Sequence, residues 1–273
     1  MGKSEPHAEI IMEVSNSQKS LSPTIGELVR PVWSKQHGAY ITLISSWLIG
    51  TLLSQSFTIH HIVVLLLLLS GFNGTELFVD SMKRRSPQSQ RRWLWMGVYG
   101  VAAISMAYVI WQSSPLFQTM LPVLAAGGLF FIFLSIKRLH KTIPAELITF
   151  MFFSAAGLLA YNPAHMPDTG FIVNLWILIS AYFCLSVFHV KYRIKEITAK
   201  LLVGYILIAV AIILFTVGFS VPSLLVLSLI VLKTVPLLAA PKAYRALKIK
   251  HIGYLEMVMQ GVLVLIVVLS FGT

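Results

Sequence analysis

The sequence predicts an all-α integral membrane protein, built as a bundle of nine transmembrane helices. Hydrophobic residues make up 57% of the 273 residues and charged residues 11%, whereas a soluble domain carries about 25% charged residues. After residue 38 the chain is a series of apolar runs of about 20 residues, the length that crosses ~30 Å of hydrocarbon. The net charge of +11 does not indicate a nucleic-acid partner, because nucleic-acid binders gather their charge on one solvated face.

Residues 1–38 form the first of two predicted regions. They contain Glu5, Glu9, Glu13 and Glu27, several serines, and no apolar run long enough for a signal peptide. We expect a polar cytoplasmic tail that is partly mobile, up to about Pro31. Residues 39–273 form the predicted nine-helix transmembrane domain, which leaves no room for a soluble domain.

Each apolar run is predicted to be a helix, because the runs are continuous and do not alternate as the strands of membrane barrels do. The first two runs are joined so closely, through the His60–His61 region, that they must form a hairpin. The runs span residues 39–57, 60–79, 93–111, 116–136, 143–161, 170–190, 200–217, 221–240 and 253–271.

The basic residues predict the orientation of these helices. Of the 21 Lys and Arg, four lie in the tail, five after the second run, three after the fourth, four after the sixth, and five in or after the eighth. The connections after the first, third, fifth and seventh runs contain none. Basic residues gather in cytoplasmic loops, so we expect a cytoplasmic N-terminus and a C-terminus outside.

Acidic residues mark a candidate site near the cytoplasmic boundary. Ionisable residues in spanning helices are costly and are functional candidates by default. Acids at inner helix ends also cap helices or balance nearby Lys and Arg, which is the interpretation favoured for Glu146 and Glu196. For Glu76, which shares a helix face with Asn73 and Asp80, both interpretations stay open. The acids at this depth are Glu76, Asp80, Glu146, Glu196 and Glu256.

Lys233 is predicted to lie deeper in the membrane than the other basic residues. It stands about 13 residues into the eighth run, which places it roughly 10 Å below the cytoplasmic boundary. An unpaired lysine at such a depth costs about 2.5–3.5 kcal/mol. We therefore expect either Glu76 or Glu256 as its partner, or a side chain that extends to the interface.

Motifs for other chemistry are not found in the sequence. The single Cys184 excludes an intramolecular disulfide, a cysteine-based metal site and an iron–sulfur cluster. There is no HExxH spacing and no Gly-rich phosphate loop. Catalytic residues and a cofactor cannot be named on this basis.

One segment at the start of the first run resembles a known family. Lys35-Gln36-His37-Gly38-Ala39-Tyr40 is similar to the QHGA opening of the YwiC-like family of bacterial membrane proteins. The segments FHVKYRIKE at 188–196 and HIGYLE at 251–256 fit the same family, so we expect the match to cover about residues 31–271. The resemblance implies a multi-pass protein of the bacterial inner membrane, and no particular chemistry.

A more distant resemblance concerns layout. Nine spans, a cytoplasmic N-terminus, and polar loops after the second and sixth spans are similar to the UbiA-type intramembrane prenyltransferases. This resemblance implies a helical cavity open to the cytoplasmic leaflet, with aspartate-rich motifs at the two loops that hold Mg²⁺ and an isoprenoid diphosphate. Asn73, Glu76 and Asp80 come close to the first motif, although the spacing is one residue short. Glu76 and Asp80 are therefore the candidate metal ligands.

The second loop departs from the UbiA-type pattern. Where paired aspartates are expected, the chain has His189, Lys191, Arg193 and Lys195, and only Glu196 is acidic. This loss argues against two-site Mg²⁺ binding. The cations would instead pair directly with a phosphate, or catalysis has been lost.

These observations predict a protein that binds an isoprenoid or lipid-like ligand with an anionic, phosphate-type head, with prenyl transfer as the chemistry if it is an enzyme. The partners would be membrane lipids. Two alternatives stay open: a transporter of a small solute or ion, and a non-catalytic membrane assembly factor. The candidate ligand-binding residues are Gln36, His37, Asn73, Glu76, Asp80, Arg84, His189, Lys191, Arg193, Lys233 and Glu256.

Overall fold

The computed structural model describes residues 28–34, 37–54, 56–83, 89–139, 141–161 and 168–271, and the regular elements within them are all helices. The helices are α1 (His37–Leu53), α2 (Ile59–Lys83), α3 (Ser89–Ser113), α4 (Pro115–Ile136), α5 (Ile143–Ala160), α6 (Thr169–Arg193), α7 (Ala199–Thr216), α8 (Val221–Ala239), α9 (Pro241–Ala246) and α10 (Ile249–Phe271).

Eight of these helices, α2 to α8 and α10, are long and apolar enough to cross a membrane. The predicted all-α membrane bundle is therefore confirmed. The remaining apolar helix, α1, has 17 residues, which span about 25 Å at ~1.5 Å per residue, against ~30 Å of hydrocarbon. The predicted count of nine is thus approximate: among the described residues there are eight full-length helices and the shorter α1.

α1 ends at Leu53, before the predicted end of the first run at residue 57. The Ser54 hydroxyl lies 2.7 Å from the Thr51 carbonyl oxygen and 2.8 Å from His61 Nε2. These contacts turn the chain toward α2, in whose first turn His61 is fully buried. The hairpin of the first two runs is present, but its turn comes earlier than the hydropathy indicates.

Other helices continue beyond their apolar runs. The end of α2 and the start of α3, and likewise the end of α6 and the start of α10, include charged or polar residues. Backbone hydrogen bonds continue a helix whatever the hydropathy of its side chains. The short α9 was not predicted; it begins at Pro241, and proline suits a first helical position because its missing N–H would have no partner there.

α1 packs on α5 through glycine. A Cβ atom at Gly50 would lie 1.8 Å from the carbonyl oxygen of Gly157, and one at Gly157 would lie 2.6 Å from that of Ser46. Small residues let the backbones of membrane helices approach this closely. α1 also contacts α10, where the Ser45 hydroxyl donates a hydrogen bond to Gln260 Oε1 at 3.1 Å. α1 therefore lies between α5 and α10.

The centre of the bundle is α6, the most deeply buried of the membrane-length helices. It contacts α5, α7 and α8, and Leu178, Tyr182 and Phe183 are fully buried in the largest hydrophobic cluster. Large apolar side chains such as Ile104 and Phe215 are exposed on the outside. Hydrocarbon is the solvent that suits such a surface.

Contacts between helix termini define one end of the bundle, which we call the basic end. The segment before α1 contacts the second half of α2 through Asn73 and the start of α3 through Arg91. The start of α5 contacts the end of α6 through Lys191, and Arg193 reaches the carbonyl oxygen of Leu247 just before α10. Alternate helix termini therefore meet at this end, as the distribution of Lys and Arg predicts.

Candidate functional site

Lys233 of α8 and Glu256 of α10 form an ion pair inside the bundle. The Lys233 Nζ atom lies 2.6 Å from Glu256 Oε2 and donates a hydrogen bond to the Ser186 hydroxyl oxygen at 2.8 Å. Ser186, on α6, donates its own proton to Glu256 Oε2 at 3.0 Å. Lys233 is only 8% exposed. The expectation of an acidic partner for Lys233 is confirmed, and the partner is Glu256 rather than Glu76.

The sequence of α8 explains why a lysine is buried here. The buried residues of α8 recur every three or four positions, which places them on one helix face. That face packs against α6 and α10, so the lysine enters the bundle and does not extend along the lipid surface. The buried positions are Ser223, Val226, Leu229, Ile230, Lys233, Thr234 and Leu237.

His189 of α6 lies beside the same carboxylate. Its Nδ1 atom is 3.9 Å from Glu256 Oε1, and its Nε2 atom is 3.3 Å from the Thr234 hydroxyl oxygen. Thr234 has one proton and donates it to the Ile230 carbonyl oxygen at 2.7 Å. The Thr234 oxygen therefore accepts from His189, which places a proton on Nε2.

This tautomer makes Nδ1 the group that decides the charge of His189. In the neutral imidazole, Nδ1 is an acceptor that faces an acceptor, the Glu256 carboxylate. A proton on Nδ1 turns the same contact into an ion pair. We call Ser186, His189, Lys233, Thr234 and Glu256 the ion-pair cluster.

Two tyrosines border the ion-pair cluster. Lys233 Nζ lies 4.7 Å from the centre of the Tyr182 ring, a distance at which a ring face attracts a cation. On α9, burial raises the pKa of Tyr244 to about 12; the charge of Glu256 adds to this rise and Arg193 opposes it.

A second charged group is centred on Lys191, at the basic end. Its Nζ atom lies 2.8 Å from Glu196 Oε2 and 3.2 Å from Glu146 Oε1, and it donates to the Lys141 carbonyl oxygen at 2.9 Å. Lys195 adopts a φ of 64°, in the left-handed region, and turns the chain so that Glu196 comes back over Lys191. Glu146 and Glu196 thus balance a basic residue, as the sequence indicates.

Asn73 connects the segment before α1 and the first turn of α1 to α2 through hydrogen bonds. It is fully buried, and its Oδ1 atom accepts hydrogen bonds from the Ser34 N–H at 2.9 Å and from the Tyr40 hydroxyl. Its Nδ2 atom donates to the Leu69 carbonyl oxygen at 2.8 Å. These contacts give Asn73 a positioning role in the fold.

An apolar cleft of about 360 Å³ lies between α2, α4 and α5. Leu68, Phe72, Leu124 and Phe152 are among the residues that line it. Glu76, on α2, is the charged side chain among the described lining residues, and it lies at the basic end of the cleft. The sequence indicates the polar residue, and the UbiA-type resemblance implies a helical cavity, but hydropathy does not give the position of the cleft, because that depends on how three helices pack.

The predicted ligand-binding residues lie in several places rather than one. Lys233, Glu256 and His189 meet in the ion-pair cluster, whereas Lys191 lies in the second charged group. Glu76 faces the cleft, and Asp80 lies one turn further along α2, outside its lining.

The remaining predicted residues are only partly described. Arg193 donates a hydrogen bond to the Leu247 carbonyl oxygen. His37 begins α1, although its side chain is not among the described ones. Gln36 and Arg84 lie outside the described residues.

Two residues of the ion-pair cluster were missed from the sequence. Ser186 stands three positions before His189 and shares its helix face, and Thr234 directly follows Lys233. Their positions next to His189 and Lys233 were the only sequence feature that could have indicated these two residues. Serine and threonine are common in membrane helices, so hydropathy does not distinguish these two from the others.

A metal site is not formed by the side chains that the structure describes. No group of three or more His, Cys, Asp or Glu among them could hold a metal ion. Glu76 and Asp80, one turn apart on α2, are the two carboxylates that the UbiA-type layout implies as Mg²⁺ ligands. Mg²⁺ is usually held by one or two carboxylates together with waters and substrate phosphates, so this Mg²⁺ site stays a prediction.

Taken together, the helices and the buried ion pair define a multi-pass, all-α membrane protein with polar groups inside the bundle. The model of the family described as YwiC-like protein matches residues 33–161, so the resemblance to that family is confirmed over this range. No curated protein and no solved structure matches the chain.

The extent of the family match bears on both sites. It covers α1 to α5 and therefore includes the cleft and Glu76, but it ends before α6. The predicted coverage of residues 31–271 is not found, and the segments at 188–196 and 251–256 lie outside the match. The resemblance to UbiA-type enzymes stays a prediction.

Removal of either charge from the ion pair is expected to destabilise the protein strongly. Lys233→Met or Glu256→Gln leaves the other group buried without its partner, which costs about 3–5 kcal/mol. The double variant is expected to recover part of this loss, because no unpaired charge remains. Unfolding of the purified protein in mixed micelles measures these free energies.

The matched control is Glu196→Gln. Glu196 is half exposed and shares Lys191 with Glu146, so its loss is expected to cost less than about 1 kcal/mol. Equal effects of Glu196→Gln and Glu256→Gln, or strict additivity of the two cluster variants, would contradict the prediction.

Proposed function

We propose that the protein binds a membrane amphiphile with one long apolar chain, of the isoprenoid or lipid type, in the cleft between α2, α4 and α5. The observation that carries this proposal is the cleft itself, whose lining is apolar apart from Thr75, Glu76 and Thr149. Its volume of about 360 Å³ falls within the 300–1,000 Å³ range of ordinary ligand pockets.

The shape of the cleft supports a chain-like ligand. Its lining runs along α2 from Leu67 to Glu76 and along α5 from Ile148 to Leu159, stretches of roughly 14 Å and 16 Å at ~1.5 Å per residue. A linear chain fills such a space along its length and keeps its polar end at Glu76. A ligand already dissolved in the bilayer reaches the cleft without crossing water.

Binding is the activity that this geometry supports, and prenyl transfer stays a prediction. Transfer from a diphosphate needs cations that stabilise the charge on the leaving group. Lys191 is paired with two carboxylates and Lys233 with Glu256. Neither lysine is among the described residues that line the cleft. A non-catalytic assembly factor that carries a lipid would use the same cleft.

Transport of a small solute or ion is the second candidate function. The ion-pair cluster favours it, because charged residues inside membrane-spanning helices often mark ion or proton pathways. His189 adds a group that can take up a proton beside Glu256. The cluster lies among α6, α8 and α10, apart from the cleft.

We further propose that the protein lies in the bacterial inner membrane, with the basic end in the cytoplasm. The distribution of Lys and Arg supports this orientation. It places the N-terminus in the cytoplasm and the C-terminus outside.

Gly128→Leu is expected to block ligand binding by filling the cleft. Gly128 lines the cleft, and no atom would lie within 4 Å of an added Cβ, so the leucine enters open space without a clash. Binding of geranylgeraniol, followed by native mass spectrometry in nanodiscs, is expected to weaken by about tenfold or more, equivalent to about 1.4 kcal/mol.

Gly261→Leu is the matched control for Gly128→Leu. It adds the same side chain at an exposed position of α10 that also has open space. Equal binding by wild type and Gly128→Leu, or equal loss in both variants, would count against the cleft as the binding site.

Reporter fusions test the orientation. Alkaline phosphatase, which is active only outside the cytoplasm, is expected to be active when fused after Thr273 and inactive when fused after Lys141. The opposite pattern would reverse the proposed orientation, and the same activity at both positions would contradict the alternation of the helices.

Proteoliposome flux tests the second candidate. If the ion-pair cluster moves protons, wild-type vesicles with an imposed pH gradient are expected to dissipate it several times faster than empty vesicles, and His189→Gln is expected to abolish the difference. His251→Gln, at an exposed histidine of α10, controls for loss of any histidine. Equal dissipation by empty and protein-containing vesicles would refute proton movement.

A further inference from the structure

We infer that Arg193 and Arg245 form a binding site for the phosphate of an anionic phospholipid, at the basic end of the bundle. We call these two residues the arginine pair. The site is separate from the cleft, so the inference goes beyond the proposed function and does not depend on it. It follows from the way the fold brings two guanidinium groups together.

The two arginines reach across the same contact between helices in opposite directions. Arg193 is the last residue of α6, and its Nη2 atom donates a hydrogen bond to the Leu247 carbonyl oxygen, just after α9, at 2.5 Å. Arg245 lies on α9, and its Nη2 atom lies 3.5 Å from the Tyr192 carbonyl oxygen near the end of α6. Both guanidinium groups therefore lie between the end of α6 and the α9 region.

Most N–H groups of the arginine pair remain available to a ligand. A guanidinium has five N–H groups, and the two contacts to carbonyl oxygens use one on each side chain. The two Nε atoms are buried, and neither has a hydrogen-bond partner among the described residues. A buried donor without an acceptor costs free energy, so an oxygen atom that enters beside these groups stabilises the site.

The positive charges of the arginine pair are not balanced by the described acids. Glu146 and Glu196 pair with Lys191, and Glu256 pairs with Lys233. Among the described residues, no carboxylate oxygen lies within 4.0 Å of either guanidinium group. Two like charges that share one contact repel each other, and an anion placed between them offsets this repulsion.

The Tyr192 ring limits how a ligand can approach Arg245. The Arg245 Cζ atom lies 4.7 Å from the centre of this buried ring, a distance at which an aromatic face attracts a cation. The ring covers one face of the guanidinium group, and the N–H groups point outward from its edge. Phosphate oxygens accept such N–H groups in pairs, and one phosphate has enough lone pairs to accept from both arginines.

Exposed apolar residues beside the arginine pair favour a lipid over a dissolved anion. Residues 182–189 of α6 are all buried, whereas the next residue, Val190, is exposed and lies one turn before Arg193 on the same helix face. Ile194 and Leu247 are also exposed. An acyl chain can lie on this apolar surface while the phosphate contacts the arginines, as happens where basic pockets between membrane helices bind anionic head groups.

Lipid binding by the full-length protein tests the inference. Native mass spectrometry counts the phosphatidylglycerol that stays bound when phosphatidylcholine is present as a competitor. Wild type is expected to bind one phosphatidylglycerol about tenfold more tightly than phosphatidylcholine, whose phosphate already has a choline cation beside it. Arg193→Gln and Arg245→Gln are each expected to lower this affinity by about tenfold, because each removes one of two charge-assisted contacts.

Lys242→Gln is the matched control. Lys242 is an exposed basic residue of α9, so this variant removes the same charge at the basic end and leaves the arginine pair intact. It is expected to change the affinity for phosphatidylglycerol by less than about twofold, as a single exposed charge contributes little. Inorganic phosphate in large excess is expected to leave the lipid bound, because it cannot use the apolar surface.

Thermal unfolding provides a second measurement, which wild type alone can supply if a glutamine variant folds poorly. Wild type is expected to unfold at a higher temperature in phosphatidylglycerol than in phosphatidylcholine, since only a ligand of the folded state raises its stability. Arg245→Lys keeps the charge but lacks the planar fork of N–H groups, so it is expected to lose most of this difference. An arginine with a purely structural role would change the unfolding temperature equally in both lipids.

Three outcomes would overturn the inference. Equal affinity of wild type for the two lipids would exclude a site for an anionic head group. Equal losses in Lys242→Gln and in the arginine variants would indicate a general attraction of the basic end for anionic lipid. Displacement of the lipid by inorganic phosphate would assign the arginine pair to a dissolved anion. None of these outcomes bears on the cleft, which is tested with an uncharged ligand.

Discussion

One interaction constrains how the second half of the chain can pack, the contact of Lys233 with Glu256. A lysine at this position on α8 faces the bundle because it shares a face with apolar residues, and its charge cannot remain there alone. Ser186 bonds to both groups, so the pair fixes the mutual position of α6, α8 and α10. Dispersion forces alone would fix that position less specifically, because lipid tails offer membrane helices equally apolar contacts.

At both sites the hydroxyl protons of threonines are used in hydrogen bonds within their own helices. In the ion-pair cluster, Thr234 gives its proton to its own helix and so determines which nitrogen of His189 carries a hydrogen. In the cleft, Thr75 and Thr149 give up theirs in the same way and leave only acceptors for a ligand. Hydroxyl groups that bond to the carbonyl four residues earlier are common in helices. Here they leave the hydroxyl oxygens of Thr75, Thr149 and Thr234 as acceptors toward neighbouring groups.

The sequence predicts those features that follow from solvation along the membrane normal. Apolar runs predict the helices, and the depth of Lys233 predicts an acidic partner, because an unpaired charge at that depth is costly. The depth of a residue in the membrane does not tell which helices are neighbours. Glu76 and Glu256 were therefore equal candidates for the partner of Lys233 until the packing was known. The early end of α1 at Leu53 and the short α9 depend on local hydrogen bonds that hydropathy does not contain.

α1 connects the two sites physically. On one side its Gly50 lies against Gly157 of α5, and Leu43 of α1 helps to line the cleft. On the other side Ser45 bonds to Gln260, one turn beyond Glu256 on α10. The contact of Gly50 with Gly157 leaves no space between α1 and α5. If α10 moved and kept the hydrogen bond from Ser45 to Gln260, α1 and α5 would therefore have to move together, as one body. The family match covers α1 to α5 and therefore includes this body and its cleft. α10, which carries Glu256, lies outside the match.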